Sequence, residues 1–277
     1  MQRDIEYFDQ IWQKDKDYKE GHNGVSPASW DKRAEGFNRN VSDERMDKIV
    51  ELLLEKKMLQ ENSIVLDIGC GPGKFVREFA KRAQNVVGVD ISSKMLHYAQ
   101  ENVVAQGLGN AEFRELDWEK ADLSALNWKK KFSLVTGIMS PAFLNRQGLE
   151  KMLEASHEYG LICHFVERQD SISDELKKHV LGREKIDKYG NKGLYCSFNI
   201  LWLYEIFPEI IYFNLDKETN QSIEEAYRNY TSRFEMKTDL TEAQKTEIMD
   251  YLKKKAENGV IKEKTKSKIA CIYWRKK

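Results

Sequence analysis

Along this chain, short apolar runs alternate with stretches in which apolar residues return every three or four positions. The runs lie at 63–66, 85–89, 111–116, 132–137, 160–166, 209–215 and 268–275. Runs this short, bounded by Gly, Asn, Asp or Pro, read as strands. Between the first five the period changes to that of a helix, except between the third and fourth, which a polar connection joins. Phe75, Val76, Phe79 and Ala80 share one face over 74–83. Met95, Leu96, Ala99 and Val103 do so over a helix that Ser92 caps and that runs to about 106. A further helix is predicted over 146–156. Upstream, Met46, Ile49, Val50, Leu53 and Leu54 mark an amphipathic helix over 43–59. Strand and helix in alternation, with short buried strands, predict a parallel sheet covered on both faces.

The rhythm changes after residue 167. A helix over 173–181 leads into a polar stretch with Gly182, Gly190 and Gly193. The apolar and aromatic run 194–207 reads as helix from about 198, with strand as the alternative. Amphipathic helices follow near 222–234 and 241–257. The second opens with capping-box spacing, Thr241-Glu242-Ala243-Gln244. Residues 216–260 therefore read as a helical insertion between two late strands. At the other end, Ile5, Phe8, Ile11 and Trp12 recur at helical spacing, and Ser29 partly caps a second helix that carries Trp30 and Phe37. The expected organisation is an N-terminal helical lid (1–42), a core (43–167), and a C-terminal part (168–277) that completes the sheet. The fold class is α/β, a doubly wound, mostly parallel, seven-stranded sheet.

Charge removes some functions. Lys plus Arg number 45 and Asp plus Glu number 45, for a net charge of +0. No global field favours DNA or RNA. The first residues lack the apolar core of a signal peptide, and no apolar run is long enough to span a bilayer. Cys70, Cys163, Cys196 and Cys271 have no zinc-ligand spacing and read as small buried thiols. The expectation is a cytoplasmic chain with no membrane and no metal.

The chemistry lies in Asp67-Ile68-Gly69-Cys70-Gly71-Pro72-Gly73-Lys74, a glycine turn between a buried strand and a helix. Such a turn offers bare backbone N–H groups to a ligand. Two readings compete. The nicotinamide or flavin fingerprint needs a small residue where Lys74 stands. Glycines at alternate positions behind an acid instead resemble motif I of the class I S-adenosylmethionine-dependent methyltransferases, and every fixed position of that motif is matched. Three further elements agree over about residues 43–167. The resemblance implies that Asp90, ending Val86-Val87-Gly88-Val89-Asp90-Ile91, binds both ribose hydroxyls. It implies that Asp117 meets the adenine amino group, with Trp118 near the ring. It implies that Gly137 and Ile138 line the methionine portion. Cofactor contacts are thus expected from Asp67, Gly69, Cys70, Gly71, Asp90, Ile91, Met95, Asp117, Trp118, Gly137 and Ile138. Asp67 is expected to shape the turn by accepting backbone N–H bonds. Trp30-Asp31-Lys32-Arg33-Ala34 resembles a segment that packs over the cofactor in small-molecule methyltransferases, which adds Trp30 and Arg33. The cofactor is S-adenosylmethionine, released as S-adenosylhomocysteine.

The acceptor is less defined. Aromatic residues outside the core, Trp30, Tyr195, Trp202 and Tyr204, favour a small organic molecule. Protein or RNA, docked on the lysine-rich 241–266 region, is the alternative, and an idle cofactor-binding subunit is a third. No N/D-P-P-Y/F/W motif follows the fourth strand, which disfavours methylation of DNA bases. Tyr18, His22 and His164 are candidate bases, and none is singled out.

Overall fold

The computed structural model describes residues 3–13, 26–39, 44–143, 145–182, 192–235 and 238–276. Val65, Leu66 and Ile68 are fully buried because β1 (Ile64–Ile68) lies mid-sheet. It runs parallel to β2 (Asn85–Asp90) on one side and β4 (Phe132–Ile138) on the other. Strands buried on both faces need a continuous apolar run, which is what these three carry. β3 (Ala111–Glu115) flanks β2, and β5 (Ser156–Asp170) flanks β4, both parallel. β6 (Glu209–Ser222) and β7 (Val260–Arg275) complete the order β3-β2-β1-β4-β5-β7-β6, with β7 antiparallel to both neighbours. The winding direction reverses between β1 and β4, the position where open sheets of this type hold ligands.

Successive side chains feed opposite layers. On one face, α3 (Glu44–Glu55), α4 (Lys74–Ala80) and α5 (Ser93–Val104) pack on Val65, Val86, Leu134 and Leu161. On the other, α1 (Ile5–Gln13), α6 (Arg146–Ala155) and α8 (Lys192–Leu203) pack on Leu66, Val87, Val135 and Ile162. The run at 194–207 is therefore helix first, as expected.

The late strands are longer than their apolar patterns. β5, β6 and β7 continue past the end of β4 as a three-stranded ribbon, because Asp170 pairs with Thr265 and Ser222 with Val260. The ribbon carries α7 (Ser171–Leu181), α9 (Ile223–Glu235) and α10 (Glu242–Lys255). These close a separate core of Leu176, Tyr230, Phe234, Ile248, Leu252 and Ile261. The helical part of the insertion is thus shorter than 216–260, and its first residues are strand. The boundary read at 167 falls inside β5, so the C-terminal part shares the core sheet. The capping box at Thr241 and Gln244 forms.

Other expectations change. The second helix, α2 (Pro27–Arg39), starts before Ser29. Ser26 accepts the Ser29 N–H at 3.3 Å, and Pro27 takes the first helical position, where its missing N–H costs nothing. Leu52, not Leu54, joins the buried face of α3. Cys70 and Cys196 are buried thiols, but Cys163 and Cys271 form a disulfide. The pairing of β5 with β7 sets them directly opposite, with Cα atoms 4.3 Å apart.

Candidate cofactor and acceptor site

The three glycines of the turn have φ of +70°, +53° and +72° at Gly69, Gly71 and Gly73. Left-handed backbone at alternate positions is cheap only without a Cβ. Each glycine has a second reason to be small or a distinct one. A Cβ on Gly69 would strike the Ser140 side chain at 2.1 Å, so the β1 and β4 loops touch there. A Cβ on Gly73 would lie 2.8 Å from Ala99 Cβ, which lets α4 and α5 pack closely. The position that must be small for helix packing is therefore 73, and Lys74 is tolerated. At Gly71 nothing lies nearer than Met95 Sδ at 4.0 Å. This peptide faces open space that a ligand can enter.

Asp90 closes the turn from the next strand. Its Oδ2 accepts the Gly71 N–H at 2.9 Å and its Oδ1 the Ser92 N–H at 3.0 Å. Two of its four lone-pair sites remain for a ligand. Burial raises its pKa, and these N–H bonds work against the rise. Gly69 and Cys70 both donate their N–H to Val89 O, so their backbone donors belong to the turn itself. Cys70 is buried, and its thiol pKa is raised well above normal by that burial. Met95 is buried at the start of α5, where Ser92 Oγ accepts its N–H. Ile91 is half-buried between Asp90 and that cap.

Asp67 differs from expectation. Its carboxylate accepts the Thr136 hydroxyl of β4 at 2.7 Å, not backbone N–H groups of the turn. It is 3% exposed, and burial pushes its pKa up to about 7. Its partner is a polar residue inside an apolar strand, Phe132-Ser133-Leu134-Val135-Thr136, a signal that sequence reading passed over. Trp118 is also placed differently. It is fully buried in the α6-side core, with its indole N–H on Gly148 O at 3.1 Å. Asp117 stays half-exposed, accepting the Glu119 N–H and pairing with Lys120 at 2.8 Å.

Gly137 and Ile138 end β4. Met139 follows with φ +56°, an uncommon conformation for its type, and donates its N–H to Cys163 O. Ile138 is level with Cys163, so His164 stands one residue beyond the end of β4. Burial alone pushes the His164 imidazole down to about 4, which keeps it neutral near pH 7. Tyr18 and His22 lie outside the described residues.

α2 roofs this edge. Ser92 Oγ donates to Asp31 Oδ1 at 2.5 Å, and Asn102 donates to Asn38 at 2.7 Å, which fixes one flank on α5. Arg39 pairs with Glu225, and Gly36 lies against Asn229, which sets another flank on α9. Lys32 and Glu35 point to solvent. By helical period, Trp30, Arg33 and Phe37 share one stripe of α2. The Arg33 guanidinium stands 4.9 Å from the Trp30 ring centre and 4.8 Å from that of Phe37. Phe37 is 39% exposed. Tyr195, Trp202 and Tyr204 are not part of this cluster. They belong to α8 and the turn after it, where Tyr204 Oη bonds to Glu150 on α6. Among the described residues no group of His, Cys, Asp and Glu could hold a metal, and no helix is long and apolar enough to cross a membrane.

Residues 65–159 match the methyltransferase domain family. Among curated proteins, the chain is similar to an uncharacterised Haemophilus influenzae protein, 23% identical over 91% of both chains. It is also similar to the 23S rRNA (uracil(1939)-C(5))-methyltransferase RlmD of Alcanivorax borkumensis, 36% identical over 33% of this chain. That match spans only 20% of the relative's length. Two solved structures share the fold. One is the YcgJ protein of Bacillus subtilis, with a TM-score of 0.50 and 16% identity, covering 82% of this chain and 97% of that one. The other comes from Bacillus halodurans, with a TM-score of 0.50 and 15% identity, covering 81% and 97%.

Proposed function

We propose that the chain, whose residues 65–159 match the methyltransferase domain family, is a class I S-adenosylmethionine-dependent methyltransferase whose methyl acceptor is a small organic molecule. The observation that carries this is a cluster on α2, where the Arg33 guanidinium stands close to the rings of Trp30 and Phe37 on a helix that Asp31 ties to Ser92, two residues past Asp90. Aromatic rings and one cation beside the cofactor turn suit a small organic acceptor better than a polymer surface.

S-adenosylmethionine supplies a methyl group already activated on a sulfonium. In this reading Gly71 and Asp90 hold the nucleoside end, the latter by charge-assisted bonds to the ribose hydroxyls. Gly137, Ile138 and the Met139–Ser140 peptide border the methionine end, and Arg33 reaches in from above. Asp67 and Trp118 act at one remove: Asp67 ties β1 to β4, and Trp118 ties β3 to α6. The chain's remaining task is to align the acceptor in line with the methyl group and to keep water out, which α2 does by covering the site.

RNA is the second reading, favoured by the relatives named as 23S rRNA methyltransferases. Their match covers about a third of this chain, so it carries little about the acceptor side. The test is incubation with methyl-labelled S-adenosylmethionine and a cell extract split into small-molecule, protein and RNA fractions. Label in a small-molecule product is expected. Label confined to RNA or protein would refute this acceptor class.

A further inference from the structure

Most of the large apolar side chains left exposed among the described residues gather in one place. Tyr195, Trp202, Leu203, Phe207, Ile210 and Tyr212 lie where α8 runs past the start of β6. Trp202 stacks on Phe198 at 6.1 Å and meets Phe207 edge-on at 5.0 Å. Ile210 pairs with Ile272 and Tyr212 with Ala270, so both rise on the sheet face that α8 covers. Four aromatic side chains of about 150–250 Å² each, roughly half exposed, leave on the order of 400 Å² in water. A patch of that size marks an interaction surface. It borders the outer edge of β6, the last strand of the sheet, which pairs with no other strand among the described residues. An open edge whose first half is apolar is a template for another strand.

Part of β6 is complementary to itself. Two copies set antiparallel about a two-fold axis through Phe213 place Glu209 opposite Lys217 twice and Ile211 opposite Leu215 twice, with Ile210 opposite Asp216. Tyr212 then faces Asn214, and Phe213 faces itself. Lys217 makes no ion pair within its own chain among the described residues. Glu209 uses Oε2 for Lys56 and Tyr273, which leaves Oε1 for a second cation. The patch carries few charges, which suits an equally apolar copy and not a nucleic acid. A net charge of +0 adds no long-range repulsion between copies.

We propose that this face joins two copies of the chain in a two-fold dimer, β6 against β6, that continues one sheet through both. The arrangement is isologous, so it closes at two subunits and does not propagate. β6 lies at the far side of the sheet from β1 and β2, so both cofactor turns stay open.

Sedimentation velocity on the full chain tests this. At about 10 µM, a range typical of stable association, the expected species is a dimer. Lys217→Glu sets two like charges against Glu209 and should raise the dimer dissociation constant at least about tenfold. Phe213→Cys should give a covalent dimer under oxidised glutathione, because Cys70 and Cys196 are buried and Cys163 and Cys271 are bonded to each other. Binding of S-adenosylhomocysteine by each variant checks that it is folded. A wild-type monomer at about 100 µM overturns the proposal. So does a dimer that Lys217→Glu leaves intact, or a folded Phe213→Cys variant that does not cross-link.

Discussion

Asp67 on β1 and His164 on β5 stand on either side of β4 and carry opposite pH signatures. Burial raises Asp67 from 3.8 to about 7. Across that window the folded chain holds a proton that the unfolded chain has released, so stability falls as pH rises. Burial lowers His164 from 6.5 to about 4. There the unfolded chain binds a proton that the folded chain refuses, so stability rises with pH and is lost on acidification. In the wild type the two contributions offset each other, and single variants separate them. His164→Gln should melt at falling temperature from pH 4 to 7, by at most about 4 kcal/mol in stability. Asp67→Asn should melt at rising temperature from pH 4 to 6.5. Calorimetric scans across this range read both, and slopes of the same sign would sink the assignment. Asp90 acts on the ligand instead. Asp90→Ala should weaken S-adenosylmethionine binding by at least roughly 1.5–3 kcal/mol in titration calorimetry, the worth of hydrogen bonds to a charged group. Unchanged affinity would refute the ribose role. Asp90 was legible in the sequence because a strand-end acid at that distance from a glycine turn is rare. The true partner of Asp67 was not, since it lies on a strand 69 residues away.

Among elements, the junction of α4 with α5 shows what the third glycine does. Gly73→Ala combines φ +72° with a Cβ 2.8 Å from Ala99 Cβ. Left-handed backbone alone costs about 1–2 kcal/mol, and overpacking adds about 1–3 kcal/mol. Gly107 has φ +67° with nothing within 4 Å, so Gly107→Ala should pay the backbone cost only. Adding Ala99→Gly to Gly73→Ala should recover the steric part. Urea midpoints of the four proteins give the comparison, and equal losses for Gly73→Ala and Gly107→Ala would remove the packing argument. The central strands and their helices were legible because one period governs each. Trp118 misled for a related reason: beside Asp117 it looked like a ring neighbour, but the turn after β3 directs its indole under α6. The ends of β5, β6 and β7 were hidden because Glu167–Asp170, Asp216–Ser222 and Lys262–Lys268 are polar on both faces, and ladder pairing rather than apolar alternation makes them strands.

On the scale of the molecule, the α7–α9–α10 lobe is fastened to the ribbon by a buried charge. Asp170, 4% exposed, accepts from Arg168 and Arg233 at 3.0 Å each and from Thr265 at 2.8 Å. Burial pushes its pKa up, but the two guanidiniums outweigh that and hold it low. Asp170→Ala leaves both arginines without their shared partner and should cost about 3–5 kcal/mol, the loss for breaking a buried pair. Hydrogen exchange should quicken in α7 and α9 while β1, β2 and β4 keep their protection. Uniform acceleration across the chain would show that the lobe does not open on its own.

The ladder between β6 and β7 ends with Ser222 directly opposite Val260. The chain therefore leaves the sheet and returns to it at the width of a single hairpin. Between those two points the chain is held at its hinge and by two charged clasps, Arg233 on Asp170 and Glu225 on Arg39. Homologues built on the same plan should therefore vary in length between 223 and 259 more than they do around the glycine turn.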